Sequence, residues 1–165
     1  MLRAMIVVLM GVSGSGKTTI GALLAKALKW RFYEGDDLHS AANRSKMSRG
    51  IPLTDADRLP WLHRIRRLIE RCLAEGVDAV VACSVLKQSY REVIVSDPKQ
   101  IRIVYLKGSP SFIKARLGKR KGHFMPSSLL PSQFETLEEP RDAITIDVSD
   151  TPAQIVDAIR KSLAI

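Results

Sequence analysis

Cysteine is scarce in this sequence, and its placement excludes two classes of protein. The 165 residues include only two cysteines, Cys72 and Cys83. They form no CxxC pair and have no histidine cluster near them, whereas zinc sites and disulfide frameworks require such spacings. We therefore expect two free thiols in a reducing cytosol.

Long hydrophobic runs are also missing. The apolar run Met5–Met10 is shorter than the hydrophobic region of a signal peptide, and it continues directly into a glycine-rich loop. No stretch approaches the roughly 20 apolar residues that a membrane-spanning helix needs. We therefore expect a cytoplasmic protein without a membrane partner.

Aromatic residues make up only 5% of the chain, while Lys and Arg exceed Asp and Glu by 26 to 17, a formal charge of +9. A basic excess is compatible with nucleic acid, a membrane surface or an anionic small molecule. No RNA- or DNA-binding motif is visible, and few aromatic side chains lie near the basic segment 116–126. Nucleic-acid binding is therefore the minor alternative.

The pattern of apolar residues predicts a single α/β domain over residues 1–165. Stretches of helical period separate five short apolar runs, which we interpret as strands: Met5–Met10, Arg31–Glu34, Ala79–Cys83, Ile101–Leu106 and Ala143–Val148. This alternation predicts a five-stranded parallel sheet with helices on both faces. Two long connections, at about residues 35–60 and 119–140, are expected to form a substrate-binding insertion and a lid.

The segment GVSGSGKT at residues 11–18 has the pattern of a phosphate-binding loop. Its glycines allow successive backbone N–H groups to surround a phosphate, its lysine reaches the β- and γ-oxygens, and its threonine offers a hydroxyl to Mg²⁺. The loop follows an apolar strand and opens a helix, as this mechanism requires. The predicted ATP-binding residues are Gly11, Ser13, Gly14, Ser15, Gly16, Lys17, Thr18 and Thr19.

The carboxylates near this loop favour a kinase over other nucleotide-binding proteins. The base-reading Asn-Lys-x-Asp motif of GTPases is absent, and the strand Ala79–Cys83 ends in Ser84 instead of the carboxylate of many motor ATPases. Acidic residues follow the second strand instead, at the edge where ligands bind in such sheets. We expect Asp36 to orient or deprotonate an acceptor hydroxyl and Glu34 to hold a magnesium-bound water, while Asp37 caps a helix.

Polar residues further along the chain suggest a polyol acceptor that carries a carboxylate. Ser84 follows the third strand, and Lys87 and Arg91 are expected to share one face of the next helix. Hydroxyl groups bind Asp, Asn and Ser, whereas a carboxylate binds Arg or Lys. An exposed cationic face is the alternative, and for Arg58 the alternative is a plain ion pair with Asp57.

The basic segment that follows the fourth strand has the position of a kinase lid. Arg116 and Arg120 are four residues apart and so share one helical face. We expect both guanidinium groups to close over the triphosphate and Arg120 to neutralise charge on the transferred phosphoryl group. A solvated charge run is the alternative.

Taken together, these blocks resemble the gluconate kinases (gluconokinases), small P-loop kinases related to the shikimate and nucleoside monophosphate kinases. The matching blocks occur in order over nearly the whole chain: GVSGSGKT at 11–18, GDDLHSAANRSKM at 35–47, GIPLTDADRLPWL at 50–62, ACSVLKQSYR at 82–91, YLKG at 105–108 and RKGHFMPSSLLPSQFETLEEP at 120–140. One departure is Ser40, where the family usually has proline. Several ordered blocks are far more specific than the phosphate loop alone.

The resemblance implies transfer of the ATP γ-phosphoryl group to the C6 hydroxyl of D-gluconate, with Mg²⁺, in a homodimer. Another sugar acid or a nucleoside monophosphate is the alternative acceptor. The resemblance supports Asp36 as the base, Arg116 and Arg120 as lid residues, and Pro152 as an adenine contact opposite Arg116. It also implies acceptor-site roles for His39, Lys46, Arg58, Ser84, Lys87, Arg91, His123 and Gln133.

Overall fold

The computed structural model describes residues 3–119 and 126–165 and contains a five-stranded parallel sheet. Its strands follow the order β2-β3-β1-β4-β5. They are β1 Ile6–Met10, β2 Arg31–Glu34, β3 Ala79–Ala82, β4 Ile101–Lys107 and β5 Ile144–Asp147. The predicted sheet is confirmed, and strand ends differ from the sequence prediction by at most one residue.

Helices connect the strands and cover both faces of the sheet. They are α1 Lys17–Leu28, α2 Ala41–Ser48, α3 Asp55–Glu75, α4 Gln88–Ile94, α5 Pro110–Gly118, α6 Leu130–Thr136 and α7 Pro152–Leu163, with short 3₁₀ turns at Gly35–Leu38 and Ser127–Leu129. Apolar residues of α1, α5 and α7 pack on one face of the sheet, and those of α3 and α4 pack on the other. None of the helices in the described ranges is both long and apolar enough to cross a membrane.

Local capping explains where the helices of the acceptor insertion begin. The Ser40 side chain accepts a hydrogen bond from the Asn43 N–H at 3.1 Å and so caps α2. Thr54 and Asp57 form a capping box at the start of α3. Asp37, expected as a cap, instead lies inside the 3₁₀ turn, whose cap is Glu34. The serine at position 40 supplies a side-chain cap for α2, which a proline at this position could not do.

The register of the central strands brings three chain segments to one edge of the sheet. Leu9 of β1 lies beside Ala82 of β3, and Ala82 lies beside Glu34 of β2. The carboxyl ends of parallel strands meet at the same edge. The phosphate loop, the 3₁₀ turn Gly35–Leu38 and Ser84 therefore leave the sheet next to one another.

Trp61 fastens the acceptor insertion to this edge. Its side chain is 1% exposed in the core beneath α3, and its Nε1–H donates to the carbonyl oxygen of Gly35 at 2.8 Å. Trp61 is therefore a core anchor of this edge, and the Gly35 carbonyl oxygen satisfies its buried indole N–H.

Gly35 permits a close approach between β2 and β3, and this contact can be tested. A Cβ on Gly35 would collide with the carbonyl oxygen of Ala82. We expect Gly35→Ala to lower the free energy of unfolding by about 1–3 kcal/mol, measured by urea denaturation. The matched control is Gly118→Ala, where no atom of the described residues beyond its own helix backbone and chain neighbours lies within 4 Å of the added carbon. Equal stability of the two variants would contradict the close packing of this edge.

Candidate active site

The phosphate loop has the backbone geometry expected from its glycines. Gly14 and Gly16 have φ angles of 82° and 96°, in the left-handed region that favours glycine. The α1 helix begins at Lys17, whose Nζ donates to the carbonyl oxygens of Gly11 and Val12 at 2.9 and 3.0 Å. The lysine ammonium therefore lies over the loop, where phosphate oxygens bind in such loops.

Thr18 and Glu34 meet beside the loop. The Thr18 hydroxyl donates to Glu34 Oε2, and Glu34 Oε1 accepts from the Asp36 N–H at 3.4 Å. Burial raises the pKa of the Glu34 carboxyl group, although the Thr18 hydrogen bond opposes this shift. A hydroxyl and a carboxylate oxygen are ligands that Mg²⁺ prefers, together with water and phosphate oxygens. These two residues could therefore hold a magnesium ion between the loop and β2.

Asp36 lies on the 3₁₀ turn that follows β2, next to a buried imidazole. The Asp36 Oδ1 atom is 4.0 Å from His39 Nε2, and the His39 ring stacks on Trp61 with centroids 4.2 Å apart. Stacking on a core residue holds the imidazole in place beside the predicted base.

Asn43 determines which nitrogen of His39 carries the proton. Its Nδ2 donates to the carbonyl oxygen of Asp57 at 2.9 Å, which fixes the orientation of the amide, and lies 3.4 Å from His39 Nδ1. Because Nδ1 faces a donor, it acts as an acceptor, and the neutral ring carries its proton on Nε2. Burial and the nearby Arg58, Arg44 and Arg64 lower the pKa of His39 to about 4. His39 is therefore neutral at pH 7 and directs an N–H towards Asp36.

A small pocket at this edge collects several of the predicted acceptor residues. Its volume is about 40 Å³, which is room for a few water molecules. Of the predicted residues, Asp36, His39, Arg58, Ser84 and Gln133 line it, together with Met47, Pro52, Leu53, Leu86, Leu129 and Ser132. The structure thus brings together residues from the acceptor insertion, the end of β3 and helix α6.

Arg58 is the cation among the described residues that line this pocket. Its Nη1 donates to the Leu53 carbonyl oxygen at 2.7 Å and to the Tyr90 hydroxyl at 3.0 Å. The guanidinium carbon also lies 5.4 Å from the centroid of the Tyr90 ring. The alternative of an ion pair with Asp57 is wrong, because Asp57 turns towards the Thr54 N–H and pairs with Lys46.

Two other predicted acceptor cations do not line the pocket. Lys46 Nζ lies 3.0 Å from Asp57 Oδ2, and Lys87 Nζ lies 3.1 Å from Asp55 Oδ1. The Lys87 ammonium also lies 5.6 Å from the centroid of the Tyr90 ring. Both lysines therefore have acidic partners in the flanking helix α3.

The expected cationic face of Lys87 and Arg91 is not formed. Lys87 is the extended cap residue before α4, whereas Arg91 is 4% exposed. The Arg91 guanidinium donates to the carbonyl oxygens of Val85, Leu86 and Glu138 at 2.8, 3.1 and 2.8 Å. Arg91 thus satisfies buried carbonyl groups in the interior. These contacts join the end of β3 to the segment after α6.

Arg116 lies between the phosphate loop and the turn that precedes α7. Its Nη1 lies 3.4 Å from the Ser15 carbonyl oxygen, and its Nη2 lies 3.4 Å from the Val148 carbonyl oxygen. Pro152 is the first residue of α7 and is exposed. The predicted lid residue Arg120 and the predicted acceptor residue His123 lie outside the described residues.

Four contacts of this site were missed from the sequence. They are the Asn43 bond to His39, the Tyr90 bonds to Arg58 and Asp55, and a bond from Ser13 to Gln133. Asn43 follows His39 by four residues, which is the spacing of one helical face, so a signal existed for that pair. Tyr90 is 32 and 35 residues from its partners, and no local pattern connects residues so far apart.

The parallel sheet, the phosphate loop and the adjoining carboxylates define a P-loop kinase. A shikimate kinase family model matches residues 13–164. The chain is 50% identical over 141 residues to a gluconokinase of Gluconobacter oxydans, covering 86% of this chain and 79% of the relative. It is 43% identical over 178 residues to a probable gluconokinase of Mus musculus, covering 96% and 97%.

Comparison with a solved structure also indicates kinship with gluconokinases. A gluconokinase from Sinorhizobium meliloti superposes with a TM-score of 0.85 at 48% identity, covering 98% of this chain and 92% of that one. The chain therefore belongs to the gluconokinases, within the shikimate kinase family of P-loop kinases.

The neutral state of His39 predicts a dependence of stability on pH. The unfolded chain takes up a proton at its ordinary His pKa of 6.5, whereas the folded chain does so only at about 4. The free energy of unfolding therefore falls as the pH falls between these values, with a His39 contribution of up to about 1.4 kcal/mol per pH unit. In His39→Gln this contribution is lost.

Urea denaturation at several pH values between 7 and 4 measures this difference. The matched control is His63→Gln, on an exposed position of α3. We expect the control to keep the wild-type slope and His39→Gln to flatten it. The same slope in all three proteins would contradict a neutral, buried His39.

Proposed function

We propose that this chain transfers the γ-phosphoryl group of ATP to the C6 hydroxyl of D-gluconate, which yields 6-phospho-D-gluconate and ADP. The observation that carries the proposal is the pocket beside the phosphate loop, which both Asp36 and Arg58 line. A carboxylate for a hydroxyl and a guanidinium for a carboxylate match a sugar acid. The kinship with gluconokinases over most of the chain supports the same reaction.

On the donor side, the loop amides and Lys17 hold the β- and γ-phosphates. Arg116, beside Ser15 and Val148, and Pro152 at the start of α7 border the space for the adenine. Thr18 and Glu34, which contact each other, would hold Mg²⁺, Glu34 through a water. Such an ion would neutralise phosphate charge. Most of the rate enhancement comes from positioning and electrostatics.

On the acceptor side, Arg58 binds the gluconate carboxylate, and Ser84 and the His39 Nε2–H bind hydroxyl groups. Asp36 accepts a hydrogen bond from the C6 hydroxyl and aligns its oxygen with the γ-phosphorus. The new O–P bond forms as the bond to the β-phosphate oxygen breaks, ADP leaves, and the hydroxyl proton passes to Asp36. Arg120 neutralises charge on the transferred group, and Lys46, Lys87 and His123 are the remaining proposed acceptor residues.

The same kinship leads us to propose a cytoplasmic homodimer whose partner molecules are small metabolites. Nucleic acid and membranes are not among the proposed partners. Analytical ultracentrifugation tests the dimer, and a titration with RNA at physiological salt tests the alternative use of the +9 charge.

An acceptor panel tests the substrate and the role of Arg58. ADP release is measured with gluconate, other sugar acids, nucleoside monophosphates and glucitol, a neutral polyol with a similar hydroxyl chain. We expect gluconate to have the highest kcat/KM. We expect Arg58→Met to raise the KM for gluconate by about 10- to 100-fold, because a charge-assisted hydrogen bond is lost, and to change glucitol turnover little.

Arg67→Met is the matched control, since Arg67 is an exposed arginine of the same helix. It should leave the KM for gluconate unchanged. A better acceptor than gluconate would overturn the proposed substrate. An unchanged KM in Arg58→Met would overturn the role of Arg58 alone.

The role of Asp36 is tested by Asp36→Asn. The amide keeps the shape of the side chain but cannot take the hydroxyl proton, so we expect kcat to fall at least ~100-fold. The Kd of ATP, measured by calorimetry, should change little. Asp37→Asn is the control, because Asp37 is exposed one position further along the same turn. A near-normal kcat in Asp36→Asn would remove Asp36 from the catalytic residues.

A further inference from the structure

Gln133 is placed between the two halves of the site. Its Oε1 atom accepts a hydrogen bond from the backbone N–H of Ser13 at 2.6 Å. The same side chain lines the acceptor pocket that contains Asp36 and Arg58. One residue of α6 thus contacts both the phosphate loop and the space proposed for the acceptor.

Ser13 belongs to the phosphate loop, and its N–H is already engaged by Gln133, so this bond holds the loop itself. Backbone N–H groups in such loops form a concave site that binds the phosphates. Ser13 is 7% exposed, so its amide has little access to solvent. A nucleotide that orders this loop therefore also orders the Ser13 bond to Gln133.

The α6 helix is also held against the walls of the acceptor pocket. Leu129, just before α6, packs with Met47 and Leu53 of the acceptor insertion in a separate buried cluster. After α6, the Glu138 N–H donates to the Leu86 carbonyl oxygen at 2.8 Å. A six-carbon sugar acid is larger than the pocket volume of about 40 Å³, so it would press against these walls. An acceptor that enters therefore acts on α6, and through Gln133 on the phosphate loop.

We propose that Gln133 is a positioning residue that couples ATP binding to acceptor binding, so that each substrate raises the affinity for the other. The inference rests on the proposed function for the identity of the acceptor. Its physical basis is the bond between Gln133 and Ser13, which becomes ordered when either substrate binds. The substrate that binds second finds this contact already ordered.

Calorimetry measures this coupling directly. The Kd of a non-hydrolysable ATP analogue with Mg²⁺ is determined with and without saturating gluconate, and the Kd of gluconate with and without the analogue. The ratio of the two values must be the same in both directions. We expect a ratio of about 5- to 150-fold in the wild type and a ratio near one in Gln133→Met, which keeps the length of the side chain but removes the acceptor oxygen.

Two further measurements separate coupling from a loss of structure. Glu135→Met is the matched control, since Glu135 is an exposed residue of the same helix, and it should keep the wild-type ratio. The amide proton resonance of Ser13 should shift upfield in Gln133→Met and stay in place in the control, because only the first variant loses the hydrogen bond.

Each outcome decides the inference. A wild-type ratio that persists in Gln133→Met overturns the coupling role, whether or not gluconate affinity falls. A ratio near one in the wild type also overturns it. If gluconate does not bind the wild type in either state, the proposed acceptor fails and the coupling inference with it, although the Ser13 resonance would still report the contact itself.

Discussion

The parallel pairing of β1, β3 and β2 is the constraint on which the site depends. Because Leu9, Ala82 and Glu34 are aligned across three strands, the chain leaves each strand at the same level. As a result, the phosphate loop, Ser84 and Asp36 lie next to one another, although they are far apart in the sequence. The tight approach of Gly35 to Ala82 and the Trp61 bond to Gly35 hold this edge together.

Around that edge, the side chains of α3 and α4 decide which basic residues face the pocket. Asp57 both caps α3 and pairs with Lys46, and Asp55 pairs with Lys87. The Arg91 guanidinium donates hydrogen bonds to carbonyl groups in the interior. Arg58 is therefore the cation that borders the pocket within the described part of the chain. The net charge of the protein reveals nothing of this selection, because ion pairing and burial are local.

Much of the fold was predictable because its signals are local. The five strands follow from short apolar runs, and the phosphate loop follows from glycine spacing and its position between a strand and a helix. Asp36 was predictable as a carboxylate that follows a strand. Its surroundings were not, because the Trp61 ring that supports His39 comes from α3, and the shared contacts of Gln133 come from a segment 120 residues beyond Ser13.

The sequence by itself determined the α/β class, the phosphate loop, the kinase chemistry and the resemblance to gluconokinases, since these depend on residue order and spacing along the chain. Only the tertiary structure decided that His39 is a neutral, stacked ring, that Arg91 is an interior anchor, and that Gln133 contacts the phosphate loop. The physical reason is that desolvation and hydrogen-bond partnership depend on which distant groups the folded sheet brings within a few ångströms.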